Sequence, residues 1–156
     1  MREILFRGRL VDGGGWVVGC LLRGTYIIPT EVEFEVDIGW KGTSSTLEHV
    51  AAYDVDPDTV GQFAGMTDKN GKLIYEGDLM KCSYNEIYDF AIYVVGFNDG
   101  AFAHVKCLSL HHKENGYEDI SRVGYSYNSH LTQNDTGKCE VIGNVHDNPE
   151  LLGANQ

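Results

Sequence analysis

The chain has 156 residues, 42% hydrophobic and 11% aromatic, with 19 glycines and three prolines. That composition is too apolar for disorder and too often broken by glycine for a helical bundle, and the length suits one compact domain or two small modules. The net charge of −11 excludes a broad electrostatic footprint for phosphate backbones, so nucleic acid is not expected as a general partner.

Phe6 to Val11 and Trp16 to Leu22 are short β-type runs separated by Asp12-Gly13-Gly14-Gly15, the pattern of a hairpin. Thr25 to Ile28 is β-branched and aromatic and stops at Pro29, after which 31–38 alternates without a break, with Glu31, Glu33, Glu35 and Asp37 on one face and apolar residues on the other. Lys41 to Thr46 is loop-like, and Leu47 to Tyr53 fits a helical turn or a weak strand equally well. Asp56-Pro57-Asp58 reads as a turn feeding Thr59 to Phe63, and the Asn70-Gly71 pair marks a tight hairpin before Leu73-Ile74-Tyr75.

Leu79 to Tyr84, Phe90 to Phe97 and Ala101 to Leu108 read as three strands, the last two joined by Asn98-Asp99-Gly100. Residues 109–137 abandon that pattern for histidines, tyrosines and small polar residues, and predict a long polar excursion with at most a short helix. Order returns at Cys139 to Val145. A final helical turn is predicted with Asn148 as N-cap, Pro149 in the first helical position, and Leu151 and Leu152 packing beneath. The expected fold is mainly β: residues 1–64 form an N-terminal β region, and 65–156 a small barrel with a short C-terminal helical turn.

No apolar run is long enough to span a bilayer, and the charged start gives no signal peptide, so no membrane association is expected. Cys20, Cys82, Cys107 and Cys139 are widely spaced, mostly inside apolar runs, and are expected as buried thiols in a reducing cytoplasm.

Glu76 and Asp78 are the best acid/base candidates, because two residues apart on an extended chain they share a face and could share a proton or a divalent cation. Against this, Gly77 can supply an unusual backbone angle while Asp78 caps nearby amides, and this structural role is the expectation. Asp54, Asp56 and Asp58 open like a calcium loop, but Pro57 intrudes, Thr59 replaces the required glycine and Gly65 the required glutamate. His111, His112, His130 and His146, with Cys139 or Asp147, hold metal-ligating atoms without supporting spacing, so no metal and no cofactor are expected. A Cys139–His146 nucleophile pair is likewise outweighed by a packed cysteine. Gly13-Gly14-Gly15 is no phosphate cradle, since a strand and not a helix follows it.

Two sets of residues suggest binding. Tyr117, Tyr125 and Tyr127 stand among Gly, Ser and Asn, the composition of adaptable recognition loops, and are the preferred location for a partner surface, though a locally packed loop explains the composition equally. Residues 1–23 carry Arg2, Arg7, Arg9 and Arg23 against Glu3 and Asp12, a net +2 that leaves −13 on the remainder. That asymmetry allows a local basic strip near the N-terminus, with Arg7, Arg9 and Trp16 as its candidate binding residues.

Three blocks carry a family resemblance: Phe6-Arg7-Gly8-Arg9 with Trp16-Val17-Val18-Gly19; Val60 through Asp78; and Val141 to Leu152. The middle block, V-G-Q-F-A-G-M-T-D-K-N-G-K-L-I-Y-E-G-D, is the most specific. Together they resemble the YopX family of phage and prophage proteins, while 31–53 and 109–137 look lineage-specific. The resemblance implies an N-terminal β region followed by a Src-homology-3-like barrel, and it implies no reaction, cofactor or catalytic residue.

The expectation is thus a phage or prophage accessory protein of the host cytoplasm, a binding or regulatory module more than an enzyme, that self-associates and has a protein partner. The alternatives are a small metal-dependent hydrolase or nuclease using Glu76 and Asp78, and a nucleic-acid binder using the N-terminal basic strip.

Overall fold

The computed structural model describes residues 4–30, 52–83, 88–98, 100–112 and 126–152. The acidic alternation at 31–38 and the ambiguous stretch up to residue 51 lie outside them. The chain is mainly β and divides into two compact units, Ile4–Val60 and the chain from Gly61 onward.

In the first unit β1 (Phe6–Arg9), β2 (Trp16–Leu22), β3 (Tyr26–Pro29) and β4 (Tyr53–Asp54) pair antiparallel in the order β4-β3-β2-β1. The first hairpin is as expected, with Arg7 opposite Val18 and Arg9 opposite Trp16. Asp56-Pro57-Asp58 forms the predicted turn, a single 3₁₀ turn over Pro57–Thr59 in which the Asp56 carboxylate accepts from the Asp58 N–H at 3.1 Å. That turn holds the end of β1, since Arg9 donates its N–H to Thr59 Oγ1 at 2.9 Å and its carbonyl accepts from Asp56 N–H at 2.9 Å. Asp56, the middle carboxylate of the calcium-like pattern, is therefore engaged by its own turn.

The second unit begins with the hairpin of β5 (Gly61–Thr67) and β6 (Leu73–Tyr75), joined through Asn70-Gly71 as the sequence predicts. The boundary between units falls before Gly61, so β5 lies whole in the second unit where the sequence reading cut it at residue 64. Then come β7 (Asp78–Ser83), β8 (Tyr88–Asn98), β9 (Ala101–His112), β10 (Ser126–His130) and β11 (Cys139–Asn144) in one antiparallel sheet ordered β10-β9-β8-β7-β11. β10 and β11 end that order, and among the described residues no pairing between them closes it.

Register breaks in β8–β9 leave Val105 and Leu108 as extra residues on β9. Such bulges increase local twist and bend a hairpin. One face of the sheet buries Met80, Cys82, Ala91, Tyr93, Val95, Phe102, Cys139 and Val141 in a common core, following the period-2 alternation on β7, β8 and β11.

The region expected as a polar excursion, 109–137, is structured at both ends: β9 continues to His112, β10 pairs with β9 through Ser129 opposite His104, and α1 (Gln133–Thr136) is the expected short helix. An edge strand takes its order from backbone pairing to its neighbour, so a sequence such as Ser-Tyr-Asn-Ser-His forms one without apolar alternation. The terminal turn is 3₁₀ over Pro149–Leu151. Asn148 does not cap it with its side chain; its Oδ1 accepts from Asn144 N–H at 3.3 Å, and Leu152 is exposed.

Candidate functional site

The specific block from Val60 to Asp78 turns out to encode a corner. Gly61 must be glycine, because a Cβ there would lie 2.6 Å from the Glu76 carbonyl oxygen. Gly77 adopts φ 82°, a conformation that L side chains resist, and its N–H and C=O bind Val95 O and Val145 N–H, each at 2.9 Å. The positive φ removes the extended geometry that would have put Glu76 and Asp78 on one face. Asp78, only 1% exposed, turns its Oδ2 to the Tyr75 N–H at 2.8 Å, while Glu76 is half-buried. This is the capping role weighed against acid/base work.

Asp68, which the sequence reading did not single out, is the second device in this block. Its Oδ1 accepts from the N–H groups of Asn70 (2.8 Å) and Lys72 (2.9 Å), and its Oδ2 from Val141 N–H in β11 at 3.0 Å. Burial raises its pKa, but the bonds from Val141, Lys72 and Asn70 and the Lys72 charge outweigh this and hold it below the usual 3.8.

The cysteines depart from expectation. Cys82 and Cys139 are not separate buried thiols, because they face each other across β7 and β11 and form a disulfide with Cα atoms 4.1 Å apart. Sequence reasoning missed this because pairing of strands 57 residues apart is invisible to spacing rules; the inward positions of both cysteines on β-type runs were the available signal. Cys107 is buried and in no disulfide, its Sγ donating to the Ser109 carbonyl at 3.5 Å, and Cys20 is exposed.

His104 of β9, also unsuspected, completes the group. It is 7% exposed, stacks on the Tyr93 ring with centroids 4.5 Å apart, and brings Nε2 to 3.8 Å from Cys82 Sγ. Burial pushes its pKa down to about 4, partly opposed by the Asp135 carboxylate on α1, so the imidazole is neutral at pH 7. The bulged β8–β9 hairpin carries β9 around Tyr93 toward β7, which accounts for this meeting of distant residues. Three of the histidines named from sequence are elsewhere: His111 stacks on Phe90 at 4.1 Å, His130 is exposed at the end of β10, and the His146 backbone N–H binds Asn144 Oδ1 at 2.9 Å, while the side chain of His112 lies outside the described residues. Cys139 therefore neighbours Cys82 and His104.

On the first unit, the register places Arg7, Arg9, Trp16 and Val18 on one face of the sheet, and the same face continues to Leu22 opposite Tyr26. The Arg7 guanidinium carbon lies 5.0 Å from the Trp16 ring centroid, a cation–π contact. Leu22 and Tyr26 are 46% and 40% exposed. The structure thus joins the three strip residues into a surface with an apolar extension. Tyr117 and Tyr125 lie outside the described residues, and Tyr127 is in β10 with its side chain outside them. No helix among the described residues is long and apolar enough to cross a membrane.

The chain is similar over 97% of its length, at 21% identity and a TM-score of 0.55, to the crystal structure of protein EF1440 from Enterococcus faecalis, of which the match covers 99%; this likeness concerns the fold alone. Among curated proteins none matches. The profile of the YopX protein family matches residues 31–153. It takes in 31–53 and 109–137, which had looked lineage-specific, and starts after the Arg7–Trp16 block. Its span includes the Gly61–Asp78 corner, the Asp68 clamp and all three residues of the buried Cys82–His104–Cys139 group. On that match, covering well over half its length, the chain belongs to the YopX family.

Proposed function

We propose that this protein is a non-catalytic binding module, an accessory protein of a phage or prophage acting in the bacterial cytoplasm. Its partner surface is the β1–β2–β3 face carrying Arg7, Arg9 and Trp16. The observation behind this reading is the cross-strand register that gathers two arginines, an indole and the exposed Leu22 and Tyr26 on one face. Arginine and aromatic side chains are the types enriched at the energetic centres of protein interfaces. Of the two carboxylates considered for acid/base chemistry, that of Asp78 accepts a backbone bond at the β6–β7 corner.

A cationic face on a chain of net charge −11 suits an acidic protein surface, and a second copy of this chain offers one, since −13 lies outside residues 1–23. Light scattering at micromolar concentration is expected to show a dimer or larger assembly at low salt that weakens as salt rises. The Arg7→Glu/Arg9→Glu double variant is expected to be monomeric with an unchanged circular dichroism spectrum. A monomeric wild type at low salt would remove self-association, and a double variant that assembles as well as the wild type would remove this face.

A further inference from the structure

We infer that Cys82, Cys139 and His104, once the disulfide is reduced, form a buried binding site for a thiophilic divalent cation, with zinc the fitting ion. Among the described residues these three side chains come together with all their ligand atoms within 4.8 Å of one another, and all three residues are buried. They reach the site from β7, β11 and β9, so the folded sheet assembles it. A lone cysteine pair would suggest only a crosslink. A histidine nitrogen turned to the same point, with its ring stacked on Tyr93, adds a third ligand in a fixed orientation.

The geometry suits tetrahedral coordination. With Zn–S near 2.3 Å and Zn–N near 2.0–2.1 Å, the sulfurs of such a site lie about 3.8 Å apart and each sulfur about 3.6 Å from the nitrogen. The distance from His104 Nε2 to Cys82 Sγ is already 3.8 Å. The Cα atoms of Cys82 and Cys139 are 4.1 Å apart, so two side chains standing parallel from paired strand positions separate their sulfurs by about the required amount without backbone movement. Charge fits as well. Two thiolates and one neutral imidazole balance Zn²⁺, giving the uncharged centre that a core position tolerates. Three protein ligands leave one coordination position for water.

The chemistry balances in two steps. A dithiol reductant of the thioredoxin class attacks the Cys82–Cys139 bond, is itself oxidised to a disulfide, and leaves two protein thiols. Zinc then binds with release of both thiol protons: Cys82–SH, Cys139–SH and neutral His104 with Zn²⁺ give the bis-thiolate imidazole complex and two H⁺. Oxidation and metal binding are mutually exclusive, because the sulfur–sulfur bond removes both thiolates. Disulfides in reducing compartments are mostly transient or redox-sensing, so in the cytoplasm the metal-competent dithiol is the resting form.

The test uses the full chain without a histidine tag, reduced with a phosphine and titrated with Co²⁺ and then Zn²⁺. One equivalent of Co²⁺ is expected to give thiolate-to-metal charge-transfer and tetrahedral d–d bands, which zinc then bleaches. Air-oxidised protein is expected to give neither. Cys82→Ser should abolish the charge-transfer band, and His104→Ala should weaken binding by at least about tenfold, since even residues outside the ligand set commonly cost that much. If a variant does not fold, the comparison of oxidised with reduced wild type decides. The proposal is overturned if the reduced wild type takes up no Co²⁺, if the oxidised wild type takes up as much, or if folded Cys82→Ser or His104→Ala binds like the wild type.

Discussion

Substituting Asp68 tests the account of what holds β11. The Asp68 carboxylate accepts three backbone N–H groups, and the three have different fates when it is removed. Asn70 and Lys72 are exposed, so water replaces their lost bonds and each costs about 1 kcal/mol. Val141 is buried; its N–H would be left unsatisfied, at about 2–3 kcal/mol when a charge-assisted bond is lost. Asp68→Ala is therefore expected to lower stability by about 4–5 kcal/mol in urea unfolding. Asp68→Asn should cost less, because its single carbonyl oxygen still serves either the turn or Val141. Exchange of the Val141 amide should accelerate in Asp68→Ala, which leaves that N–H without its acceptor. The pH dependence has a definite sign: the folded pKa lies below the ordinary 3.8, so the contribution is complete above that value and is lost as pH falls through the folded pKa. An Asp68→Ala protein within 1 kcal/mol of the wild type, with Val141 exchange unchanged, would refute the clamp.

Acidification should also report on His104 in the oxidised, chelator-treated protein. Its folded pKa of about 4 lies below the ordinary 6.5, so protonation favours the unfolded chain: stability is complete above pH 6.5 and falls by about 3 kcal/mol toward pH 4. His104→Gln should flatten that part of the profile, and parallel profiles would contradict the burial of a neutral imidazole. Gly77→Ala should cost about 1–3 kcal/mol for forcing a side chain into the left-handed region; a variant as stable as the wild type in urea would show that the corner relaxes without it.

The local elements were legible because their signals are local. Asp12 to Gly15, Asp56-Pro57-Asp58 and Asn70-Gly71 each mark a turn by the conformations their own residues permit, and the strands between them follow alternation. β10 was not legible, since Ser126 to His130 has no apolar alternation and owes its order to β9. Arg7, Arg9 and Trp16 were found as a strip because two strands and a short loop connect them. The buried group was missed because nothing in the chain relates positions 82, 104 and 139 until β7, β9 and β11 occupy one curved sheet. His104 is in addition surrounded by apolar strand residues, where a lone histidine looks like part of the core.

The same sheet order makes the dithiol form physically reasonable. Among the described residues β11 is an end strand paired with β7, and a crosslink across 57 residues stabilises by about 4 kcal/mol in the chain-entropy account. If the disulfide alone held β11, reduction would detach the strand and scatter Cys139 from His104. It does not act alone. The Asp68 carboxylate holds Val141, Lys69 donates its N–H to the Cys139 carbonyl at 3.0 Å, and Val145 N–H binds Gly77 O at the corner. The Lys69–Glu140 pair, at 2.6 Å but half-exposed, adds little. The Asp68 contribution alone is of the same order as the crosslink. Cys139 therefore keeps its place beside Cys82 and His104 after reduction, held by the turn that the most specific sequence block encodes, and the cysteine pair is free to exchange a covalent bond for a metal.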